Sequence, residues 1–293
     1  MPDVRITHTT HYTYARPVRL LTHRLMLRPQ DSHDLRLHEA TIDIDPLPAS
    51  SRWAHDVFGN SVCLLDWAPG LRCDHLRIVS RLSLTHYPPG VAQPRNTLDP
   101  AAEFYPFAYP DEELPDLGVL ARPQLPDPQG AVAAWARGFL GHGSAMRTLP
   151  LLEAMTRAIK DQFAYRGREA EGTQAPAETL ALGSGTCRDF ALLMMEAARS
   201  LGLAARFVSG YLYSGSGQAQ QGAGATHAWC GIYLPGAGWV EFDPTNGLVS
   251  GNNLIRVGVT RTPEQAVPVG GGFVGAPTDP LGMAVEVLAE VTG

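Results

Sequence analysis

Hydrophobic and polar positions alternate along the first third of the chain. Residues 9–14 put Tyr12 and Tyr14 on one face, residues 40–44 continue the two-residue period, and residues 76–84 repeat it as Leu76, Ile78, Ser80, Leu82 and Leu84. A period of two belongs to a strand buried on one side. Residues 25–29 (stopped by Pro29), 35–37 and 61–67 read as further strands, the last after a turn signal at Asp56, Phe58, Gly59 and Asn60. Short strands at this spacing predict a small antiparallel sandwich over residues 1–87.

Residues 88–128 are dense in proline, from Pro88 to Pro128, and regular elements cannot run through such a stretch. It reads as a connecting segment with one short helix near residues 111–114. Phe104, Tyr105, Phe107 and Tyr109 are too apolar for free solvent and are expected to pack on a domain. The period then becomes helical, over 130–140, over 149–163 (Leu152, Met155, Ile159, Phe163) and over 187–201 (Phe190, Leu193, Met194, Ala197, Leu201), with Gly202 as the stop. Strands return over 206–213, 225–234 and 239–242, the last two joined by the turn Pro235-Gly236-Ala237-Gly238. Residues 213–226 are rich in Gly, Ser, Gln and Ala and predict a mobile loop. Residues 254–259 and 284–291 read as further strands. The resulting division is 1–87, a β-sandwich domain; 88–128, the connecting segment; 129–270, an α+β core; and 271–293, a glycine-rich segment with a strand.

Composition narrows the functional classes. The chain has 293 residues, 44% hydrophobic and 18% charged, with net charge -6, so a packed core is attainable and no basic run suits nucleic acid. No apolar run is long enough to cross a bilayer, and the first residues lack the apolar stretch of a signal peptide. Cytoplasmic location, with no membrane partner, is the expectation. Four cysteines are too few for a disulfide scaffold. A hairpin about Pro69-Gly70 would leave Cys63 and Cys73 out of register with each other, which fits a reduced chain. His55, Cys63, Cys73 and His75 lack compact zinc-ligand spacing, so no metal and no cofactor are expected.

The candidate chemistry lies in three segments, in the order Cys187, His227, Asp243. Cys187 falls where a helix begins, after Gly183-Ser184-Gly185-Thr186. Unpaired N–H groups and the dipole at a helix start favour a thiolate, and the Cys187 amide is a donor for an oxyanion. The alternative is a cysteine that simply fills a core. Asp189 in the first turn works against the anion and is expected to complement the helix start or make a structural hydrogen bond. His227 and Trp229 share one strand face, while Ala228 and Cys230 point the other way. If the last two strands form a hairpin, Asp243 lies roughly opposite residue 230, and its carboxylate reaches His227 Nδ1 with the help of a bulge. Asp243-Pro244-Thr245 is equally a strand-ending turn.

The set Gly185-Thr186-Cys187-Arg188-Asp189-Phe190, His227-Ala228-Trp229 and Gly238-Trp239-Val240-Glu241-Phe242-Asp243-Pro244-Thr245 resembles the core of the transglutaminase-like superfamily. Tyr12-Thr13-Tyr14, residues 23–29 and Phe58-Gly59-Asn60 resemble the β domain of its bacterial members of the cysteine-protease type. The resemblance implies a papain-like α+β core in which a Cys-bearing helix packs on an antiparallel sheet. It implies Cys187 as nucleophile, His227 as base and Asp243 as its orienter, with Tyr165 and Trp229 as oxyanion or substrate contacts; a calcium requirement is not implied, since no acidic loop resembles an EF-hand. Relatives carry an acidic residue just after His-Ala-Trp, where this chain reads Cys230-Gly231, and a Gly-Arg-Asp-Tyr-like run where it reads Val259 to Pro263. The function expected is a thiol-dependent amide-bond hydrolase acting on a peptide or protein. The alternatives are a glutamine acyltransferase working through the same acyl-enzyme, and a silent binding or scaffold protein.

Overall fold

The N-terminal strands are β1 (Asp3–Leu20), β2 (His23–Arg28), β3 (Leu35–Asp45), β4 (Ser50–His55), β5 (Ser61–Asp66) and β6 (Cys73–His86). The computed structural model describes residues 1–88, 93–141, 145–167, 172–213 and 224–292. β6 lies between β1 and β3 in one antiparallel sheet, and β5 lies between β2 and β4 in another. The alternating residues meet between the sheets, where Leu76 and Ile78 of one pack with Leu25, Leu27, Cys63 and Leu65 of the other. The hairpin expected about Pro69-Gly70 does not form. β5 and β6 belong to different sheets, so that turn is a crossover between the layers of the sandwich. Cys63 and Cys73 are both buried and both unpaired.

The proline-rich segment holds more local structure than expected. Short helices cover Gln93–Thr97 and Leu114–Leu117, a 3-10 turn covers Pro100–Ala102, and Phe104–Tyr105 pairs with Met146–Arg147. Proline is tolerated there because it sits in the first turn of these short helices, where its missing N–H costs nothing. Tyr105 and Phe107 pack on the core, and the Tyr109 hydroxyl donates to Tyr233 O at 3.0 Å and accepts from Ala204 N at 2.8 Å. Phe104 does not pack inward; it is 45% exposed, with the Arg147 guanidinium over its ring.

The core begins with α1 (Ala131–Arg137), α2 (Thr148–Gln162), β7 (Ala164–Tyr165), α3 (Pro176–Leu182), β8 (Ser184–Gly185) and α4 (Cys187–Ser200). Its sheet is β9 (Ala205–Leu212), β10 (His227–Leu234), β11 (Gly238–Asp243), β12 (Leu248–Val249) and β13 (Leu254–Thr260), in the order β12-β11-β10-β9-β13, all antiparallel. The apolar stripe of α4 packs on the face that carries Phe207, Ala228, Cys230, Ile232 and Phe242. Gly202, at φ 79, ends the helix as the sequence implies, and the next two N–H groups close a Schellman motif through Gly202 N to Arg199 O and Leu203 N to Ala198 O. Most of the expected 213–226 loop lies outside the described residues.

The chain then returns to the sandwich. β14 (Val269–Gly270) pairs with β2, while β15 (Phe273–Val274) and β16 (Pro280–Val291) pair with β1. The glycine-rich tail is thus part of the β unit in space. β unit and core share one apolar cluster, in which Val4, Ile6, Leu82 and Leu84 meet Tyr211, Tyr213, Ile255 and Val257. Polar pairs fix the contact. His8 Nδ1 meets the Tyr211 hydroxyl at 2.9 Å, His86 Nδ1 meets the Tyr213 hydroxyl at 3.0 Å, and the Asn60 amide exchanges two hydrogen bonds with the Val259 backbone. Among the described residues no helix is long and apolar enough to cross a membrane.

Candidate active site

Cys187 opens α4, and its placement is built by the residues around it. α3 ends on Gly183 at φ 56, a left-handed conformation that favours glycine. β8 then runs parallel to β7, with Gly185 beside Tyr165. A side chain at Gly185 would stand 2.9 Å from Asp189 Cβ, so glycine is needed for the close approach. Thr186 and Asp189 form a capping box, in which Asp189 Oδ2 accepts the Thr186 N–H at 2.8 Å. Asp189 Oδ1 also accepts from Gln174 N at 2.7 Å. The carboxylate expected to complement the helix start therefore does so, by an arrangement the spacing of Thr186 and Asp189 already encodes.

His227 starts β10, level with Gly210 of β9. Cys230 pairs with Phe242, one residue away from the expected register. Continuing that ladder brings Asp243 level with Trp229, so Asp243 and His227 are diagonal neighbours on the same face. The expected register would have sent Asp243 to the opposite face, because a shift of one residue exchanges the faces. No bulge is needed. The nitrogen that meets the carboxylate is also the other one: His227 Nε2 donates to Asp243 Oδ2 at 2.8 Å. Nδ1 is buried without a hydrogen-bond partner, and Cys187 joins Asp243 in favouring the charged ring.

Electrostatics bind the three groups together. Burial alone would hold the His227 ring neutral. The charge and hydrogen bond of Asp243, reinforced by Cys187, overcome that and push the ring up to about 10. Asp243 is held in turn, since its Oδ1 accepts from Thr245 N at 3.0 Å and its Oδ2 from Asn246 Nδ2 at 2.8 Å. Asn246 was not singled out from the sequence, although Asp-Pro-Thr-Asn carries the composition of an Asx turn. Tyr165 is carried to the site by the β7–β8 pairing. Burial, with the Cys187 sulfur beside the hydroxyl, raises the phenol to about 12. Trp229 has no accessible surface and stacks behind the His227 ring at 5.9 Å between centroids. It therefore backs the imidazole and does not line a substrate surface. Cys230 points to the helix side and is fully buried.

A buried pair stabilises the other end of α4. Arg199 binds Glu196 at 2.7 Å and donates to the carbonyls of Leu120, Ala205 and Arg261. Glu196 Oε2 accepts from Gln124 N and Leu125 N. The two side chains tie the connecting segment and β9 to the helix that carries Cys187. Among the described residues no cluster of His, Cys, Asp or Glu is arranged to hold a metal ion.

Comparison with known proteins places this arrangement. Residues 4–84 match the bacterial transglutaminase-like N-terminal region, and residues 135–244 match the transglutaminase-like superfamily. An uncharacterized protein of Mycobacterium tuberculosis is 28% identical over 277 residues, covering 91% of this chain and 86% of its own. One from Mycobacterium bovis matches to the same extent. The crystal structure of a "Putative Cysteine Protease" from Cytophaga hutchinsonii superposes on all of this chain and 92% of its own, with TM-score 0.71 and 17% identity, which shows a common fold. The chain is a member of the transglutaminase-like superfamily that carries the bacterial N-terminal β region.

Proposed function

We propose that the protein is a thiol-dependent amide-bond hydrolase acting on peptides through Cys187, His227 and Asp243. The observation that carries this reading is the buried His227 ring, hydrogen-bonded to Asp243 through Nε2 and favoured in its charged form by Asp243 and Cys187 together. Asp243 holds the proton on Nε2, which leaves Nδ1 to take the thiol proton. The sulfur attacks the substrate carbonyl. The developing oxyanion is met by the Cys187 N–H, which the helix start leaves without an intrahelical partner, and by the Tyr165 hydroxyl. His227 returns its proton to the leaving amine, and water, deprotonated by the same ring, releases the acyl group.

The test is mass spectrometry of a glutamine-containing peptide library incubated with the protein, with and without a primary amine. Hydrolysis predicts cleaved or deamidated products that disappear in Cys187→Ala, and an acyl adduct trapped on Cys187. Amine incorporation exceeding water addition would assign the acyl-enzyme to transfer instead. Equal turnover by Cys187→Ala and wild type would overturn the reading.

A further inference from the structure

A cavity of about 370 Å³ lies between the β unit and the core sheet. Glu241 in its wall is two residues from Asp243 on β11, so the cavity shares a sheet face with the His227–Asp243 pair. Its charged lining is Asp34, Glu241, Arg206 and Arg256, with His33 and His86 at the β-unit side. Arg256 divides its fork between Glu241 at 2.8 Å and Asp34 at 2.9 Å, and His86 is bonded to Tyr213. Those groups are satisfied.

Arg206 is different. Among the described residues its guanidinium has no hydrogen bond and no ion pair, and its Nε is buried without an acceptor. It lies 4.2 Å from the centroid of the Trp239 ring, held by a cation–π contact. Arg206, Gly231 and Glu241 form one cross-strand row over β9, β10 and β11. The Arg206 stem crosses the empty position at Gly231, where a Cβ would stand 3.3 Å from Nε and 3.4 Å from Cγ. The one carboxylate in that row, Glu241, is taken by Arg256. The site balances in charge but leaves the buried Nε donor of Arg206 without an acceptor, which is costly for a group held away from water. Apolar surface from Val240, Leu254 and Val257 adjoins it. Of the two residues at the sequence departure Cys230-Gly231, Gly231 is the one that lies under the Arg206 stem.

We infer that the cavity binds a small organic carboxylate, its two oxygens received by Arg206 above Trp239 and its apolar body resting on Leu254 and Val257. A carboxylate matches the guanidinium fork in a way a single carbonyl does not. This site is separate from Cys187 and does not depend on the proposed hydrolase activity.

Isothermal titration of the full-length protein with N-acetyl-leucine, N-acetyl-leucinamide and inorganic phosphate tests the inference. The expected result is one saturable site for N-acetyl-leucine, with binding to the amide weaker by about tenfold or more. Arg206→Gln is expected to lose binding to a similar degree and Arg206→Lys to fall between, while Cys187→Ala binds as wild type. Gly231→Glu, which supplies an internal carboxylate beside Arg206, is expected to weaken binding without removing the guanidinium, and it decides the matter if Arg206→Gln fails to fold. Absence of saturable binding, wild-type affinity in Arg206→Gln, equal binding of the amide, phosphate binding as tightly as N-acetyl-leucine, or loss of binding in Cys187→Ala would overturn the inference.

Discussion

Replacing Asp243 by Asn changes one charge and almost no volume, and it acts on Cys187 only through His227. In the wild type, burial works against the protonated ring, and the Asp243 charge and hydrogen bond, with Cys187, raise it from 6.5 to about 10. That displacement corresponds to at most about 5 kcal/mol of preference for the charged ring. Asn removes the charge, so burial prevails and the ring becomes neutral at pH 7. The hydrogen-bond pattern turns as well. Thr245 N and Asn246 N both donate to Oδ1 of Asp243, so the Asn oxygen is held at that position. Its amide N–H₂ then faces His227 Nε2, which must accept, and the ring proton moves to Nδ1. An Nδ1–H cannot take the proton of Cys187. Asp243→Asn is therefore expected to lower the iodoacetamide rate of Cys187 at pH 7 and the hydrolysis rate together, by about 10²- to 10⁴-fold. Peptide mass spectrometry separates Cys187 from Cys63, Cys73 and Cys230, whose thiols burial pushes up and which serve as slow internal references. A Cys187 rate within threefold of wild type, in a variant with an unchanged melting curve, would refute this account of the pair.

Tyr165→Phe removes a donor beside the sulfur while keeping the ring contact with Phe190; kcat is expected to fall by about 10- to 10³-fold with KM little changed, as steady-state kinetics would show. His8 and His86, both held neutral between the two units and lowered to about 4 chiefly by burial, stabilise the fold fully above pH 6.5 and lose that contribution as pH falls toward 4. Urea midpoints are thus expected to drop over this window, by up to about 3 kcal/mol per histidine, and a flat profile would contradict the assignment. His227 has the opposite sign: its contribution is complete below pH 6.5 and is lost as pH rises through about 10, so wild type should lose stability relative to Asp243→Asn on the alkaline side. Arg199→Ala strands Glu196 in the interior and is expected to cost about 3–5 kcal/mol in chemical denaturation.

Some of this protein was written locally in the chain. The helix that starts at Cys187 and stops at Gly202 follows from a glycine-flanked start, a Thr186–Asp189 box and a helical apolar stripe, all within one short stretch. The alternation in β1 and β6 was equally legible, because burying one face of a strand imposes a period of two. Pairing was not. The crossover between β5 and β6, the return of β16 to β1 and the one-residue register of β10 on β11 depend on which distant strands bury each other's edges, and no local pattern encodes that choice. The candidate site divides along the same line. The order of Cys187, His227 and Asp243 named the chemistry, but only the tertiary register decided that His227 turns Nε2 to Asp243, that Trp229 stands behind the ring, and that Arg206 is left beside an empty Gly231. Side-chain identity is a property of the sequence. Which lone pair meets which proton is set by distances of a few ångströms between segments far apart in the chain, and those distances exist only once the two units have packed.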